Sequence, residues 1–285
     1  MPNNDKYPVV ERKYKLDRKI DSTPEVLVVK FKSEDGEQWP FDPGMFMMIS
    51  GIDAEGKKHI ARAFSISSDP TDPELEFLIV KEPRHPKVVA QPVQQPKLAT
   101  TPAAAAAAQT KPAAPSAPTA PIAAEQATSH FVDAKIGDEF VMRGPNGQFR
   151  FDPNKDKKVL FIAGGTGLAP FLSMLRHIKV SGAKPDVRMM YSIKYPTEII
   201  LKDELEQLVK DLNVGMTITV TRPQPGDGWT GQTGHIADIM IKQCVIDVPE
   251  RMCYICGPLA FVKAVREALA HCGCADSRIS ADVWG

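Results

Sequence analysis

From Val159 to Pro170 an apolar strand runs into a glycine turn and then into a helix, and few folds accept that succession. Gly164, Gly165 and Gly167 let the backbone pass through angles closed to other residues and leave no side chain between the turn and a ligand. The next helix presents unpaired N–H groups to the same space, so the element can hold phosphate. Pro170 suits the first helical turn, where its missing donor costs nothing. The spacing is neither Gly-x-Gly-x-x-Gly nor a P-loop, because no Gly-Lys-Ser/Thr comes after it. Taken alone, the turn also serves as a plain strand-to-helix connection.

Alternation of strand and helix continues to the end of the chain. Strands fit 159–163, 187–192, 216–221 and 252–256, and helices fit 170–180, 202–211, 236–243 and 259–271. Such alternation predicts a parallel sheet with helices on both faces. Ligands in these sheets bind outside the carboxyl ends of the strands, where Gly164, Ser192, Thr221 and Cys256 would lie. Upstream the pattern is different. Short β-rich runs at 25–31, 45–49, 59–66 and 75–81, with turns between them, predict a small antiparallel barrel. Residues 136–145 resume it as turn, strand and turn.

Between these β segments lies a stretch of another kind. From Gln91 to Gln126, Ala and Pro supply 20 of 36 residues, with no aromatic and no glycine. It buries too little apolar surface to offset chain entropy and reads as a semi-stiff tether inserted at about 86–127. It is read as a tolerated surface insertion or as a lid or docking arm. The predicted domains are therefore 1–155, interrupted by the tether, and 156–285.

Charge is balanced, with 35 basic and 35 acidic residues, which argues against a nucleic-acid-binding surface. No apolar run reaches the ~20 residues of a membrane span, and the polar start carries no readable signal peptide. The five cysteines all follow residue 243, unlike a secreted disulfide framework. The expectation is a soluble, cytoplasmic protein. Cys253, Cys256, Cys272 and Cys274 superficially resemble a metal ligand set, but the helix from Leu259 to His271 carries the chain on the order of 20 Å away from Cys256. No metal site is expected. The six histidines match no catalytic or metal spacing.

Arg62, Ala63, Phe64 and Ser65 place a cation beside an aromatic and a hydroxyl, a combination that can pair with pyrophosphate and cover a flat ring. Equally, Phe64 reads as core and Arg62 as a solvated strand residue. The order of motifs decides more than any one of them. Pro43-Gly44, Arg62-x-Phe64-Ser65, Gly144-Pro145-x-Gly147-x-Phe149, Gly164-Gly165-Thr166-Gly167-x-x-Pro170 and Cys256-Gly257-Pro258 together resemble the ferredoxin–NADP reductase family of flavoproteins. The resemblance implies an α+β two-domain chain, an antiparallel β-barrel FAD domain followed by an α/β parallel-sheet NAD(P)-binding domain.

It also implies roles. Arg62 would hold the FAD pyrophosphate, with Ala63 beside it in the motif. Phe64 would lie on the isoalloxazine, and Ser65 would sit near its reactive nitrogen. The backbone of Ile79, Val80 and Lys81 would line the flavin. Gly164, Gly165, Thr166 and Gly167, with Pro170 behind them, would carry the dinucleotide phosphates. Cys256, with Gly257 and Pro258, would flank the nicotinamide, making Ser65 and Cys256 the residues at the reaction centre. Trp284 resembles the terminal aromatic that shields the flavin in some relatives, or it packs on an edge strand.

Two positions depart from the family. Phe64 stands where most members have Tyr, and the second FAD phosphate motif survives only as Gln126-Ala127-Thr128-Ser129, without its glycine. The sequence Trp229-x-Gly231-x-x-Gly234 looks like the family's loop near the dinucleotide, or a structural turn. Ser192 and Lys194 offer a hydroxyl and a cation to a 2′-phosphate, and no acid neighbours them in sequence, which tilts the expectation to NADP over NAD. The activity implied is hydride transfer from NAD(P)H to FAD, then electron transfer to a separate protein acceptor, partner subunit or small molecule. A subunit working only inside a larger complex and a non-catalytic dinucleotide-binding module are the competing readings.

Overall fold

The computed structural model describes residues 6–34, 36–52, 55–81, 128 and 130–284. The tether and Ser129 lie outside the described residues. Six strands form the first sheet: β1 (Val10–Asp21), β2 (Val26–Ser33), β3 (Phe46–Gly51), β4 (Arg62–Ser65), β5 (Glu74–Val80) and β6 (Glu139–Asn146). They order as β4-β3-β6-β1-β2-β5, every neighbour antiparallel. An antiparallel bridge from Ile66 to Phe77 joins the two ends, so the sheet curls into a nearly closed barrel. Its interior is filled by alternate residues, among them Tyr14, Leu16, Leu27, Val29, Phe31, Met47 and Phe140.

β4 is shorter than the strand expected from His59, because residues 58–61 are exposed and bury no face. β6 runs on through Gly144 and Pro145 where the sequence reads a turn. The β3–β6 ladder is irregular there, Phe46 pairing with Asn146 and Met48 with Arg143, and that irregularity takes up a proline that cannot donate.

The second sheet, β10-β9-β8-β7-β11-β12, is parallel throughout. Its strands are β7 (Lys158–Gly164), β8 (Asp186–Ile193), β9 (Gly215–Val220), β10 (Gln232–Thr233), β11 (Met252–Pro258) and β12 (Ile279–Trp284). Helices α1 (Ala169–Ser181) and α2 (Lys202–Asp211) bury Phe171, Leu172, Leu175, Leu205 and Leu208 on one face. Helices α3 (Asp238–Cys244) and α4 (Leu259–His271) bury Met240, Ile241, Val262, Val265 and Leu269 on the other. Covered on both faces, β7 and β11 read as continuous apolar runs. At the amino ends of the strands, buried Arg251 donates to the carbonyls of Val159 and Asp186 and pairs with the carboxylates of Asp186 and Asp247.

The two sheets are joined through β2 and β5. While Leu27 and Val29 face the barrel interior, Val26, Val28 and Leu78 face outward and join the core beneath α1 with Phe149 and Phe151. This explains the uninterrupted apolar run at the start of β2. Polar contacts lock the same face. Arg176 on α1 donates to the Ser67 carbonyl and to Glu76 Oε1, both at 2.7 Å, and forks onto Glu204. Ser173 donates to the Ser68 carbonyl at 2.7 Å, and His177 Nδ1 lies 2.9 Å from Asp69. Glu76 is 2% exposed. Burial pushes its carboxyl up, but Arg176, Lys30 and the Ser67 hydroxyl outweigh burial and hold it below the usual carboxylate range.

Candidate functional site

A cavity of about 690 Å³ opens at the carboxyl ends of the parallel strands, bounded on one side by the barrel. Gly164, Gly165, Thr166, Ser192 and Thr221 form its floor, Pro258 and Phe261 one wall, and Thr23, Glu25 and Val80 of the barrel the facing one. The strand ends read from the sequence thus meet at one place, except that Pro258 rather than Cys256 reaches the wall.

Each glycine of the turn does a different job. Gly165 has φ +56° with open space beyond it, so this left-handed residue leaves the turn bare toward the cavity. A Cβ on Gly164 would press on Phe261 at 3.1 Å, and one on Gly257 at 2.7 Å. Phe261, unnoticed in the sequence, therefore needs both glycines to lie across the turn. Its signal was an aromatic one turn after Cys256-Gly257-Pro258. Gly167 answers a packing demand that the sequence does not announce. It is buried, and a Cβ there would collide with the Cys256 carbonyl oxygen. Its role is close packing of the turn on β11. Pro170 is likewise buried in the first turn of α1, behind a short 3₁₀ turn over Gly165–Leu168 that the sequence did not reveal. Because backbone rather than a flexible side chain is in the way, Gly167→Ala is expected to cost about 2 kcal/mol of stability, read from chemical denaturation. Unchanged stability would show that the turn can move away from β11.

Beside the cavity, three residues from three strand ends converge. Parallel pairing of β11 with β12 sets Cys256 level with Asp282. Ser65, at the end of β4 in the barrel, donates to Asp282 Oδ2 at 3.2 Å, and Cys256 Sγ lies 3.9 Å from the same oxygen. Burial holds the Asp282 carboxyl above its ordinary range, against the hydrogen bonds from Ser65, the Val283 N–H and Cys256. Burial raises the Cys256 thiol as well, with Asp282 adding to it, so this sulfur stays a thiol. Asp282 was missed because only strand register brings it beside Cys256. The one clue was a lone acid in a mostly apolar terminal strand.

The remaining expected residues are distributed around this centre. Arg62 and Phe64 are half-buried and Ala63 is exposed. The Phe64 ring meets Phe131 edge-on at 5.0 Å. Ile79 points into the barrel core, Val80 lines the cavity, and Lys81 gives its N–H to the Glu25 carbonyl and its ammonium to Asp21. Thr128 Oγ1 is buried without a hydrogen-bond partner among the described residues. Trp284 is 40% exposed and lines the cavity. Trp229 donates to the Gln232 carbonyl at 2.8 Å and packs on the core.

The absence of an acid near Lys194 in sequence proves misleading. Glu198 reaches back, its carboxylate accepting the Lys194 N–H at 2.9 Å on the cavity wall. The thiols divide among separate surroundings: Cys253 and Cys274 are 3.6 Å apart, and Cys272 faces the Asp238 carbonyl. Among the described residues no group of three or more His, Cys, Asp or Glu is placed to hold a metal ion. No described helix is long and apolar enough to cross a membrane.

Comparison with known proteins agrees with this architecture. Residues 161–267 match the oxidoreductase NAD-binding domain family. The chain is 37% identical over 131 residues to the stachydrine N-demethylase reductase subunit Stc4 of Rhizobium meliloti (strain 1021), covering 46% of this chain and 37% of that protein. It is 31% identical over 153 residues to NADH-cytochrome b5 reductase 1 of Ajellomyces capsulatus, covering 51% and 49%. The chain spans about half the length, or less, of these curated relatives. Among solved structures, the cytochrome b5 reductase domain of Ulva prolifera nitrate reductase superposes with a TM-score of 0.72 at 22% identity, covering 96% of this chain and 97% of that one. The ferredoxin NADP+ reductase of Neisseria gonorrhoeae, with bound FAD and NADP, gives 0.68 at 20%, covering 96% and 98%. With a barrel feeding Ser65 to the strand ends of a matched NAD-binding domain, the chain has the two-domain fold of these solved reductases.

Proposed function

We propose that this chain is an FAD-dependent NAD(P)H oxidoreductase that takes hydride from the nicotinamide and passes electrons to a separate acceptor, a partner protein or an oxygenase-type subunit. The observation that carries the reading is the Ser65–Asp282–Cys256 array, assembled from both domains two residues before Pro258 and Trp284, which line a dinucleotide-sized cavity. FAD supplies the two-electron chemistry when bound, and the protein supplies binding, orientation and proton handling.

Two features fit such groups. Thr128 Oγ1 is a buried hydroxyl lacking a partner among the described residues, at the position where the second FAD phosphate motif falls. Gly165 offers a bare, left-handed turn to a phosphate. Arg62 would pair with the FAD pyrophosphate, Thr128 and Ser129 would complete its cradle, and Phe64 would cover the ring. Gly164 to Thr166 would hold the dinucleotide phosphates, and Pro258 and Phe261 would close the apolar wall. Burial favours the protonated form of Asp282 relative to an exposed aspartate, and once protonated it can donate to Ser65 Oγ and free the Ser65 hydroxyl proton for relay. Five free thiols suit a reducing compartment such as the cytoplasm. Relatives named as reductase subunits favour the second reading, a component of a larger electron-transfer complex. NADH or NADPH is selected by the charges around Lys194.

Trp284 gives a direct test of who occupies the cavity mouth. If it covers the nicotinamide position, Trp284→Ala tightens dinucleotide binding by about tenfold, the value of one aromatic contact of roughly 1–1.5 kcal/mol, and brightens flavin emission. No change in either leaves Trp284 as edge-strand packing.

A further inference from the structure

We infer that the cleft is built for NADH and against NADPH, by a charge arrangement shared between the two domains: Glu198 at the β8 end, and Glu25 reaching across from the barrel to occupy Lys194. The inference rests on the dinucleotide reading of the cavity and names its substrate.

Among the described residues, four titratable side chains line this cavity: Glu25, Lys194, Glu198 and His235. Two carboxylates face one ammonium, so apart from the imidazole the wall carries an excess negative charge. Glu198 is fixed in place, because its Oε2 accepts the Lys194 N–H at 2.9 Å just past the end of β8. A carboxylate held at that strand end can accept a hydrogen bond from a ribose 2′-hydroxyl, whereas a 2′-phosphate brings close to two negative charges toward it. Lys194 is the cation that could answer such a phosphate, and it is already engaged. Its Nζ lies 3.8 Å from Glu25 Oε2, both side chains being about half exposed, 52% and 51%.

Glu25 is not there by accident of a loose turn. The β1–β2 hairpin that carries it is tied to the second domain by Ser22, whose Oγ accepts the Leu201 N–H at 2.7 Å. Within the hairpin, Thr23 Oγ1 accepts the Val26 N–H at 3.0 Å, and the Glu25 carbonyl takes the Lys81 N–H at 2.7 Å. Backbone bonds therefore hold Glu25 opposite Lys194 regardless of its side chain. Thr23, Glu25 and Val26 form cavity wall, so a barrel hairpin takes part in choosing the dinucleotide.

Because the pairs are half exposed, the effect is screened, and each carboxylate is worth only a few-fold; together they amount to about tenfold. The test is calorimetric titration of NAD+ and NADP+ into the wild-type protein, Glu198→Gln, Glu25→Gln and the double variant. Wild type is expected to bind NAD+ about tenfold tighter than NADP+. Glu25→Gln frees Lys194 and strengthens NADP+ binding with little change for NAD+. Glu198→Gln keeps an oxygen for the Lys194 N–H and removes the charge, and the double variant brings the ratio near one. Equal binding or NADP+ preference in wild type overturns the inference, as does a ratio that neither substitution moves. Failure to bind either dinucleotide overturns the dinucleotide reading itself, and the inference falls with it.

Discussion

Arg176→Met lowers the unfolding free energy by about 3 kcal/mol at neutral pH, the scale for removing one partner of a buried ion pair. The guanidinium is 12% exposed and its partner Glu76 3% at the side chain. Arg176 belongs to α1 of the parallel-sheet domain and Glu76 to β5 of the barrel, so the loss falls on the joint between them. Lys30 Nζ stays 3.1 Å from Glu76 but is itself more exposed and cannot replace a fork that also reaches Ser67 and Glu204. The pH dependence has a definite sign. Glu76 has a lowered pKa when folded, so its stabilisation is present above the ordinary carboxyl pKa and fades as pH falls through the folded value. The gap between wild type and variant therefore narrows in acid. Adding Glu76→Gln to Arg176→Met should recover part of the loss, because the stranded carboxylate carries most of it. Denaturation midpoints for the four proteins of this cycle check the account; additive losses would show that the two residues are not coupled.

Asp282→Asn slows flavin reduction on the order of 100-fold, the low end for a positioned proton-handling group, while making the protein more stable at mildly alkaline pH. The amide still accepts from Ser65 but offers no acid proton. The stability gain follows from the raised carboxyl pKa. A folded state that holds the proton more tightly is stabilised at low pH and loses that stabilisation as pH rises through the raised value. Asn carries no such penalty. Ser65→Ala slows reduction too, without the stability gain, since it strips a hydrogen bond from a half-buried carboxyl. Stopped-flow bleaching and melting temperature across pH separate these outcomes. A variant that reduces at the wild-type rate removes Asp282 from the chemistry.

Both effects arise from contacts that no local pattern announces. The barrel is legible from short β-rich runs between turns and the parallel sheet from short apolar runs alternating with helices of period 3.6, and α2 and α4 begin and end where their periodicity does. The glycine turn is legible for the same reason, as a local conformational demand. Asp282 pairs with Ser65 across 217 positions, and Arg176 with Glu76 across 100. Glu198 lies only four residues from Lys194, yet a short 3₁₀ turn over Pro196–Glu198 is what folds its carboxylate back. Gly167 shows the reverse case. Its place in a phosphate-binding motif is plain, while the need it meets is the approach of β11.

The most direct measurement is the visible spectrum of the purified protein with FAD, followed anaerobically as NADH is added and, separately, NADPH. The account predicts flavin bands that bleach in a two-electron step, faster with NADH. A colourless protein that fails to take up FAD, or bound flavin that neither dinucleotide reduces, would contradict it.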